Sequence, residues 1–360
     1  MKKRALIAMS GGVDSSVAAL LMKEQGYDCI GVTMKLYDND DIGIVREQTC
    51  CSLDDIEDAR SVANRIGIPY YVVNFKEDFK EKVMDSFVDC YVKGWTPNPC
   101  IECNRHLKFE HLYRKAKELN CDVIVTGHYV QIMEEDGTLC MKKAVDGSKD
   151  QSYVLYSLPK DMLAHTCFPL GGLTKERVRE IAEEYGFINS RKKDSQDICF
   201  IPDGNYRSFM EKEYGVRVGS GDFVDMDGKV LGRHNGYYCY TIGQRKGLGI
   251  AAKEPYYVVD IKPEENLVVL GSNDDLFHTT LIAENVNWMV DETAITPDSL
   301  IQAKVRYRQL AQNAHVEQLT DDKVRVTFDE PQRAITKGQA LVMYDGDKVL
   351  GGGTIVAVEG

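Results

Sequence analysis

The sequence predicts an α/β fold built on a doubly wound parallel sheet, followed by a mostly β C-terminal third. Three observations lead there. Short apolar runs alternate with helix-length amphipathic stretches up to about residue 74, the rhythm of βαβ units. A glycine turn, Ser10-Gly11-Gly12, stands directly between the first run and the first amphipathic stretch. Beyond Gly204, glycines punctuate short alternating runs such as Lys323-Val324-Arg325-Val326-Thr327-Phe328.

Residues 5–9, 29–34 and 70–73 read as buried strands, and 15–25 and 53–66 as the helices between them. An amphipathic stretch over 103–119 leads into a Val-Ile-Val strand at 122–126, where the sheet is expected to end. Residues 134–137 then carry a hairpin turn. Helical periodicity returns over 175–185, with Thr174 as N-cap and Gly186 as C-cap. A chain of 360 residues is long for one core, and the shifts in pattern place boundaries near residues 203 and 280. The expected domains are 1–203, 204–280 and 281–360.

Composition narrows the function. With 43% hydrophobic and 28% charged residues the chain reads as a soluble globular protein, not a disordered or coiled-coil one. No apolar run reaches the roughly 18 residues of a membrane span, and the stretch after Lys2-Lys3-Arg4 is too short for a signal peptide, so no membrane association and a cytoplasmic location are expected. A net charge of −12 argues against coating nucleic acid by bulk electrostatics, while leaving room for a specific RNA bound by a local basic cluster. The helix after Asn104 offers one, with Arg105, Lys108, Arg114, Lys115 and Lys117 against Glu110. Eleven cysteines without a secretory signal read as thiols, some of them catalytic or metal-binding.

The string Ser10-Gly11-Gly12-Val13-Asp14-Ser15-Ser16 sits where a strand feeds a helix. Backbone N–H groups and the helix dipole hold an anion at such a place, the glycines admit a phosphate closely, and Asp14 could hold a Mg²⁺ ion. The Walker lysine is missing, which disfavours P-loop chemistry. The string resembles instead the PP-loop of the adenine-nucleotide pyrophosphatases, which split ATP between its α- and β-phosphates.

Thr96-Pro97-Asn98-Pro99-Cys100-Ile101-Glu102-Cys103-Asn104 brings an extended proline loop into a Cys-x-x-Cys pair that opens a helix. A thiolate at a helix N-terminus is favoured by the dipole, so Cys103 is expected to have a lowered pKa and to act as nucleophile or ligand. Cys199 lies between Ile198 and Phe200 after Arg191-Lys192-Lys193, whose charge could stabilise a thiolate; read alone, it is more readily a core residue. Cys50-Cys51 reads either way. Cys100, Cys103 and His106 have ligand-like spacing for zinc, but a second pair is missing.

The phosphate loop, Cys50-Cys51-Ser52, the Thr96 to Asn104 segment, Thr126-Gly127-His128-Tyr129, Lys149-Asp150-Gln151-Ser152-Tyr153 and the 194–201 segment resemble the tRNA 2-thiouridylase family, in its order. The likeness continues through Tyr240-Thr241-Ile242-Gly243-Gln244-Arg245-Lys246-Gly247 to Gly338-Gln339 and Leu350-Gly351-Gly352-Gly353, and covers effectively the whole chain. It implies a PP-loop domain, a small middle domain and a C-terminal β-barrel. It implies ATP as substrate with Mg²⁺, adenylation of the 2-oxygen of the wobble uridine of a tRNA, and a sulfur donor such as a cysteine desulfurase or a relay protein.

Residue by residue, the resemblance implies ATP contacts from Ala8, Met9, Ser10, Gly11, Gly12, Val13, Asp14, Ser15, Met34 and Gly127. Pro97, Asn98 and Pro99 would meet the target base, and His128, Lys149, Asp150, Gln151, Arg306, Tyr307 and Gln339 would contact tRNA. Cys103 would be the nucleophile and Cys199 the persulfide carrier. Cys100 departs from the aspartate more common in the family, so that acid/base role does not carry over. With three thiolates, Cys100, Cys103 and Cys199, two routes for sulfur stay open: a persulfide relay, or a 4Fe-4S cluster of the kind held by related thiolases. Another PP-loop enzyme and a non-catalytic ATP- or RNA-binding module are the rival readings.

Overall fold

The computed structural model describes residues 2–38, 53–194, 198–291, 295–296 and 299–359. Cys50 and Cys51, read as ambiguous above, lie outside the described residues. Two compact units are formed: Met1–Met84 with Pro99–Asn205 and Asp347–Val349, and Asp85–Asn98 with Tyr206–Gly346 and Leu350–Gly360.

In the first unit, β1 (Arg4–Ala8), β2 (Asp28–Lys35), β3 (Tyr70–Asn74) and β4 (Val123–Val125) form as their apolar runs predict, but β3 is not the buried strand expected: it lies at the sheet edge with Tyr71 and Val72 exposed. A hairpin follows, β5 (Val130–Glu135) and β6 (Thr138–Lys143), turned by Asp136 and Gly137 at positive φ. The sheet does not end at β4. A two-residue strand β7 (Thr166–Cys167) joins its edge, pairing Ile124 with Thr166 and Val125 with Cys167, and two residues are too few to leave a periodic signal.

All neighbours in the order β3-β2-β1-β4-β7 are parallel. The chain runs from β1 outward through β2 to β3 and later places β4 on the other side of β1. Strand order therefore reverses between β1 and β4, and in such sheets ligands bind at the carboxyl ends of the strands flanking that point. Helix α1 (Val13–Glu24) buries Val13, Ser15, Ser16, Val17, Ala18, Ala19, Leu20 and Met22, more than one face of it. A helix buried on more than one face belongs between layers, and α1 packs on β1, on α2 (Leu53–Ile66) and on the helix Lys175–Glu184. Thr174 caps that last helix by accepting from the Arg177 N–H at 3.2 Å.

The second unit carries a short helix, Tyr206–Glu213, and a four-stranded sheet. Its strands are β8 (Gly221–Val224), β9 (Val230–His234), β10 (Tyr257–Lys262) and β11 (Leu267–Gly271), in the order β10-β11-β8-β9. Six more strands follow: β12 (Phe277–Trp288), β13 (Leu300–Lys304), β14 (Gln312–Thr320), β15 (Lys323–Arg333), β16 (Ala340–Asp345) and β17 (Lys348–Glu359). They run β12-β15-β14-β13-β16-β17, and β12 also pairs with β17, which closes the sheet into a barrel. Its interior is lined by buried Leu281, Ile301, Val305, Val316, Val326, Phe328, Leu341, Met343 and Ile355. Among the described residues no helix is long and apolar enough to cross a membrane.

Candidate active site

The loop after β1 is held open by side chains rather than by its own backbone. Ser10 N–H donates to Ser15 Oγ at 3.1 Å, while the hydroxyls of Ser15 and Ser16 donate to Gly12 O at 3.1 and 3.0 Å. Gly11 lies at φ +75°, and a Cβ there would stand 2.3 Å from Asp55 O, so only glycine fits. The buried Asn189 amide donates to Gly11 O and to Ser16 Oγ, both at 2.9 Å. Lys192 Nζ reaches Asp55 and Asp58, each at 2.6 Å, with Gly11 O at 3.4 Å.

The loop after β4 closes on the same place. A Cβ on Gly127 would stand 2.7 Å from Ser15 N and 2.8 Å from Asp14 C, so this glycine is a close approach of two backbones. Met9 N–H donates to Val32 O at 2.8 Å, and Met9 O accepts from Thr33 Oγ1 at 2.5 Å. Met34 follows on the same strand, paired with Val73. Ala8 to Ser15 and Gly127 are thus gathered at the carboxyl ends of β1 and β4, with Met34 near that of β2.

Asp14 corrects one expectation. Both of its carboxylate oxygens accept from Lys175 Nζ at 2.7 Å, and Oδ1 also accepts from the Tyr129 hydroxyl at 2.7 Å. The cation that Asp14 meets is therefore the buried Lys175 ammonium, and Asp14 is not a free Mg²⁺ ligand. Lys175 also pairs with Asp194 at 2.8 Å, which takes Lys149 at 2.8 Å and Arg179 at 3.2 Å. Burial with the charge of Asp14 raises the Tyr129 phenol, and although burial opposes it, the lysine partners hold the Asp194 carboxyl below its usual range. Lys175, Asn189 and Lys192 lie more than 130 residues from their partners in the loop and in α2, and no local motif announces them.

Pro99 opens the helix at Pro99–Glu102, which continues as a π-helix over Cys103–His111. Cys100 is thus in the first turn and exposed, whereas Cys103 is in the second turn and 8% exposed. The expected lowering of the Cys103 thiol is corrected accordingly. The dipole fades beyond the first turn, and burial pushes the thiol up, opposed by Lys108 and aided by Cys100. Next to it, buried Asn104 donates its amide to Val154 O at 2.9 Å, while its Oδ1 has no partner. Cys199 is half-buried, with its carbonyl held by the Tyr37 hydroxyl at 2.6 Å and Phe200 packed edge-on to Phe79 at 5.6 Å.

The nine described cysteines are all thiols. Among the described residues no three His, Cys, Asp or Glu side chains are gathered to hold a metal, so the expected trio Cys100, Cys103 and Cys199 is not assembled as a ligand set, nor are Cys100, Cys103 and His106.

The residues assigned to tRNA contact are mostly engaged within the chain. Lys149 pairs with Asp194; Asp150 accepts from Ala144 N–H at 3.1 Å and Ser152 Oγ at 2.7 Å; Gln151 accepts from Tyr129 N–H at 2.9 Å. Lys108 Nζ, a pure donor, lies 3.5 Å from His128 Nε2, so Nδ1 carries the imidazole proton and donates to Thr126 Oγ1 at 2.7 Å. Packing beside Phe109 and Phe168 and the charge of Lys108 hold this imidazole well below its ordinary pKa. The basic helix is less charged than its central stretch suggests: Glu102 faces Arg105 at 3.8 Å, Glu118 pairs with Lys115 and Glu110 with Arg114, each at 2.5 Å.

In the second unit, Arg306 is engaged by neighbouring backbone and side chains. Its guanidinium donates to Ala334 O at 2.9 Å, Thr336 Oγ1 at 2.7 Å and Ile242 O at 3.1 Å, and Tyr307 beside it is exposed. Gln339 Nε2 donates to Thr96 O at 2.9 Å and Pro97 O at 3.1 Å. Asn98 follows on the same stretch.

Three family models match the chain: a "tRNA methyl transferase HUP domain" over residues 3–203, a "tRNA methyl transferase PRC-barrel domain" over 207–272 and an "Aminomethyltransferase beta-barrel domain" over 278–355. The tRNA-specific 2-thiouridylase MnmA of Clostridioides difficile is 52% identical over 99% of this chain and 98% of its own length. The chain belongs to the tRNA-specific 2-thiouridylase family. Other thiouridylases agree: that of Carboxydothermus hydrogenoformans is 51% identical over 98% of both chains, and that of Clostridium acetobutylicum 51% over 99% of this chain and 100% of its own. The thiouridylase relatives and the methyl-transferase wording of the domain models differ over the group transferred, and the relatives carry the more specific description at about half identity.

Proposed function

We propose that this chain is a tRNA 2-thiouridylase that uses ATP to activate the 2-oxygen of a wobble uridine and then replaces it with sulfur. The observation that carries the reading is the pairing, in one unit, of a phosphate loop at the sheet's reversal point with the Cys103 helix, in a chain 52% identical to a named thiouridylase. ATP would sit at Ala8 to Ser15, Met34 and Gly127, its phosphates over Gly11, Gly12 and the start of α1. Mg²⁺ would be carried in by those phosphates, because the neighbouring Asp14 and Asp194 are both paired with Lys175.

The uridine 2-carbonyl is a poor electrophile. Its oxygen attacks the α-phosphorus of ATP, pyrophosphate leaves, and the oxygen becomes part of an AMP leaving group. Cys199, loaded as a persulfide by a donor such as a cysteine desulfurase or relay protein, attacks C2 with its outer sulfur and AMP departs. The Cys103 thiolate then attacks the Cys199 Sγ, expelling 2-thiouridine and leaving a Cys103–Cys199 disulfide that an external thiol reduces. Burial keeps Cys103 protonated until that step, and Lys108 is the cation that favours its thiolate.

Pro97, Asn98 and Pro99 are proposed at the target base, and His128, Lys149 to Gln151, Arg306 and Tyr307 along the tRNA surface. We assign catalysis to residues 1–203, a middle role to 204–280 and tRNA contact to 281–360, a division that the three family matches support. The reaction is placed in the cytoplasm, with its tRNA.

The test combines the purified protein, ATP, Mg²⁺, unmodified tRNA and a desulfurase with cysteine. Formation of 2-thiouridine with stoichiometric AMP and pyrophosphate is the expected result. Pyrophosphate release without thiolation would point to another phosphate-loop enzyme, and ATP binding without release to a non-catalytic module.

A further inference from the structure

The segment that enters the Cys103 helix is held by the barrel strands of its own unit. Thr96 N–H donates to Lys337 O at 2.9 Å, and Gln339 Nε2 donates to the carbonyls of Thr96 and Pro97. Of the two ends of the Gln339 amide only the nitrogen donates, so two carbonyl partners fix the orientation of this side chain. Gly338 lies at φ +86°, and a Cβ there would stand 2.9 Å from Thr96 O and 3.1 Å from both Thr96 N and Trp95 Cβ.

The holding side is itself rigid. Gly338 N–H donates to Ile355 O at 2.8 Å and Ile355 N–H to Gln339 O at 2.9 Å, which pins both residues to β17. The preceding turn is buried at Ala334, Ile335 and Thr336 and is tied by Arg306, whose guanidinium bonds Ala334 O and Thr336 Oγ1. Ala334 sits at φ +56°, a conformation that a non-glycine residue keeps only when its surroundings impose it.

We infer that Gln339 is a positioning residue for the base-binding loop: its amide fixes the backbone of Thr96 and Pro97, three and two residues before the helix that begins at Pro99. The inference rests on the thiouridylase reading and deepens one part of it, because the Gln339 amide nitrogen is engaged by the protein's own loop. Asn98 and Pro99 then start from a fixed point, which is what a group that must meet one carbonyl carbon within a few tenths of an ångström requires.

The experiment uses the full chain as wild type, Gln339→Ala and Gln339→Glu, and reads three quantities: tRNA dissociation constant, single-turnover rate of 2-thiouridine formation at saturating tRNA, and hydrogen exchange of peptides covering residues 91–98. For Gln339→Ala the loop amides should exchange faster while the barrel peptides stay protected. The rate should fall about tenfold or more, and the tRNA dissociation constant should stay within about threefold. Gln339→Glu, which aims a carboxylate at two carbonyls, should be slower still. A tRNA affinity weakened tenfold with unchanged exchange and rate would overturn the inference and make Gln339 an RNA contact. Unchanged rate and exchange, or loss of protection throughout the barrel, would overturn it as well. If the wild type makes no thiouridine, the enzyme reading fails, and the exchange data still decide whether Gln339 holds the loop.

Discussion

Asn189 and Gly11 stand 178 residues apart in the sequence and 2.9 Å apart in the fold, amide to carbonyl. The same amide reaches Ser16 Oγ, so one buried side chain sets both ends of the phosphate loop. Asn189→Ala should raise the KM for ATP about tenfold and lower stability by about 1–2 kcal/mol, the worth of two buried hydrogen bonds. Steady-state kinetics in ATP and urea unfolding read the two effects. An unchanged ATP dependence would show that the loop keeps its shape unaided.

Lys175 is 8% exposed and neutralises two carboxylates. Lys175→Met leaves the partly buried Asp14 and Asp194 carboxylates with less compensation and should cost about 2 kcal/mol, less than for a fully buried pair because water still reaches both acids. Asp14→Asn in the same chain should recover part of that loss, because the two sites are coupled. Purely additive losses in a double-mutant cycle would refute the pairing.

Gly127→Ala places a methyl group 2.7 Å from Ser15 N, where backbone must move. We expect a higher KM for ATP with tRNA affinity unchanged. Gly172→Ala, where a Cβ meets nothing within 4 Å, is the matched control and should leave both within about twofold.

His128 makes stability depend on pH. Its folded pKa lies well below 6.5, so the unfolded chain binds the extra proton first as pH falls. The contribution is full above the unfolded pKa of about 6.5 and is lost progressively below it, down to the folded value. Thermal unfolding between pH 7 and 5 should show a falling Tm that His128→Phe flattens. A slope identical in the two proteins would locate the proton uptake elsewhere.

The buried Cys103 thiol, pushed up from its ordinary value, should react with iodoacetamide slowly at pH 7.5 and much faster above pH 9, while exposed Cys100 is modified first. Peptide mapping after timed alkylation reads the order. Prior labelling of Cys103 at pH 7.5 would contradict the burial argument.

What the sequence could show follows from range. The β1 to α1 phosphate loop, the Cys-x-x-Cys helix entry, the Thr174 cap and the β5–β6 hairpin are local patterns, and each formed where its residues suggested. The Lys175 and Asn189 contacts to the loop, the Gln339 bonds to Thr96 and Pro97, and the two-residue strand at Thr166 arise only on folding, so no window of neighbours contains them. The Cys103 pKa was misjudged for a local reason: the helix begins at Pro99, four residues before the thiol, and burial then outweighs the dipole. The basic patch was overstated because Glu102 and Glu118 lie just outside the stretch considered.

The pairing of β12 with both β15 and β17 has a consequence for synthesis on the ribosome. Until residues 348–359 have emerged from the exit tunnel, β12 and β16 each present an unpaired edge, and the nascent barrel is an open sheet able to recruit other chains. Gly338 and Gln339 likewise have no Ile355 to pair with until then. Closure of the barrel is therefore a late event in the life of the polypeptide, and a chain interrupted before β17 would be a ready substrate for chaperones.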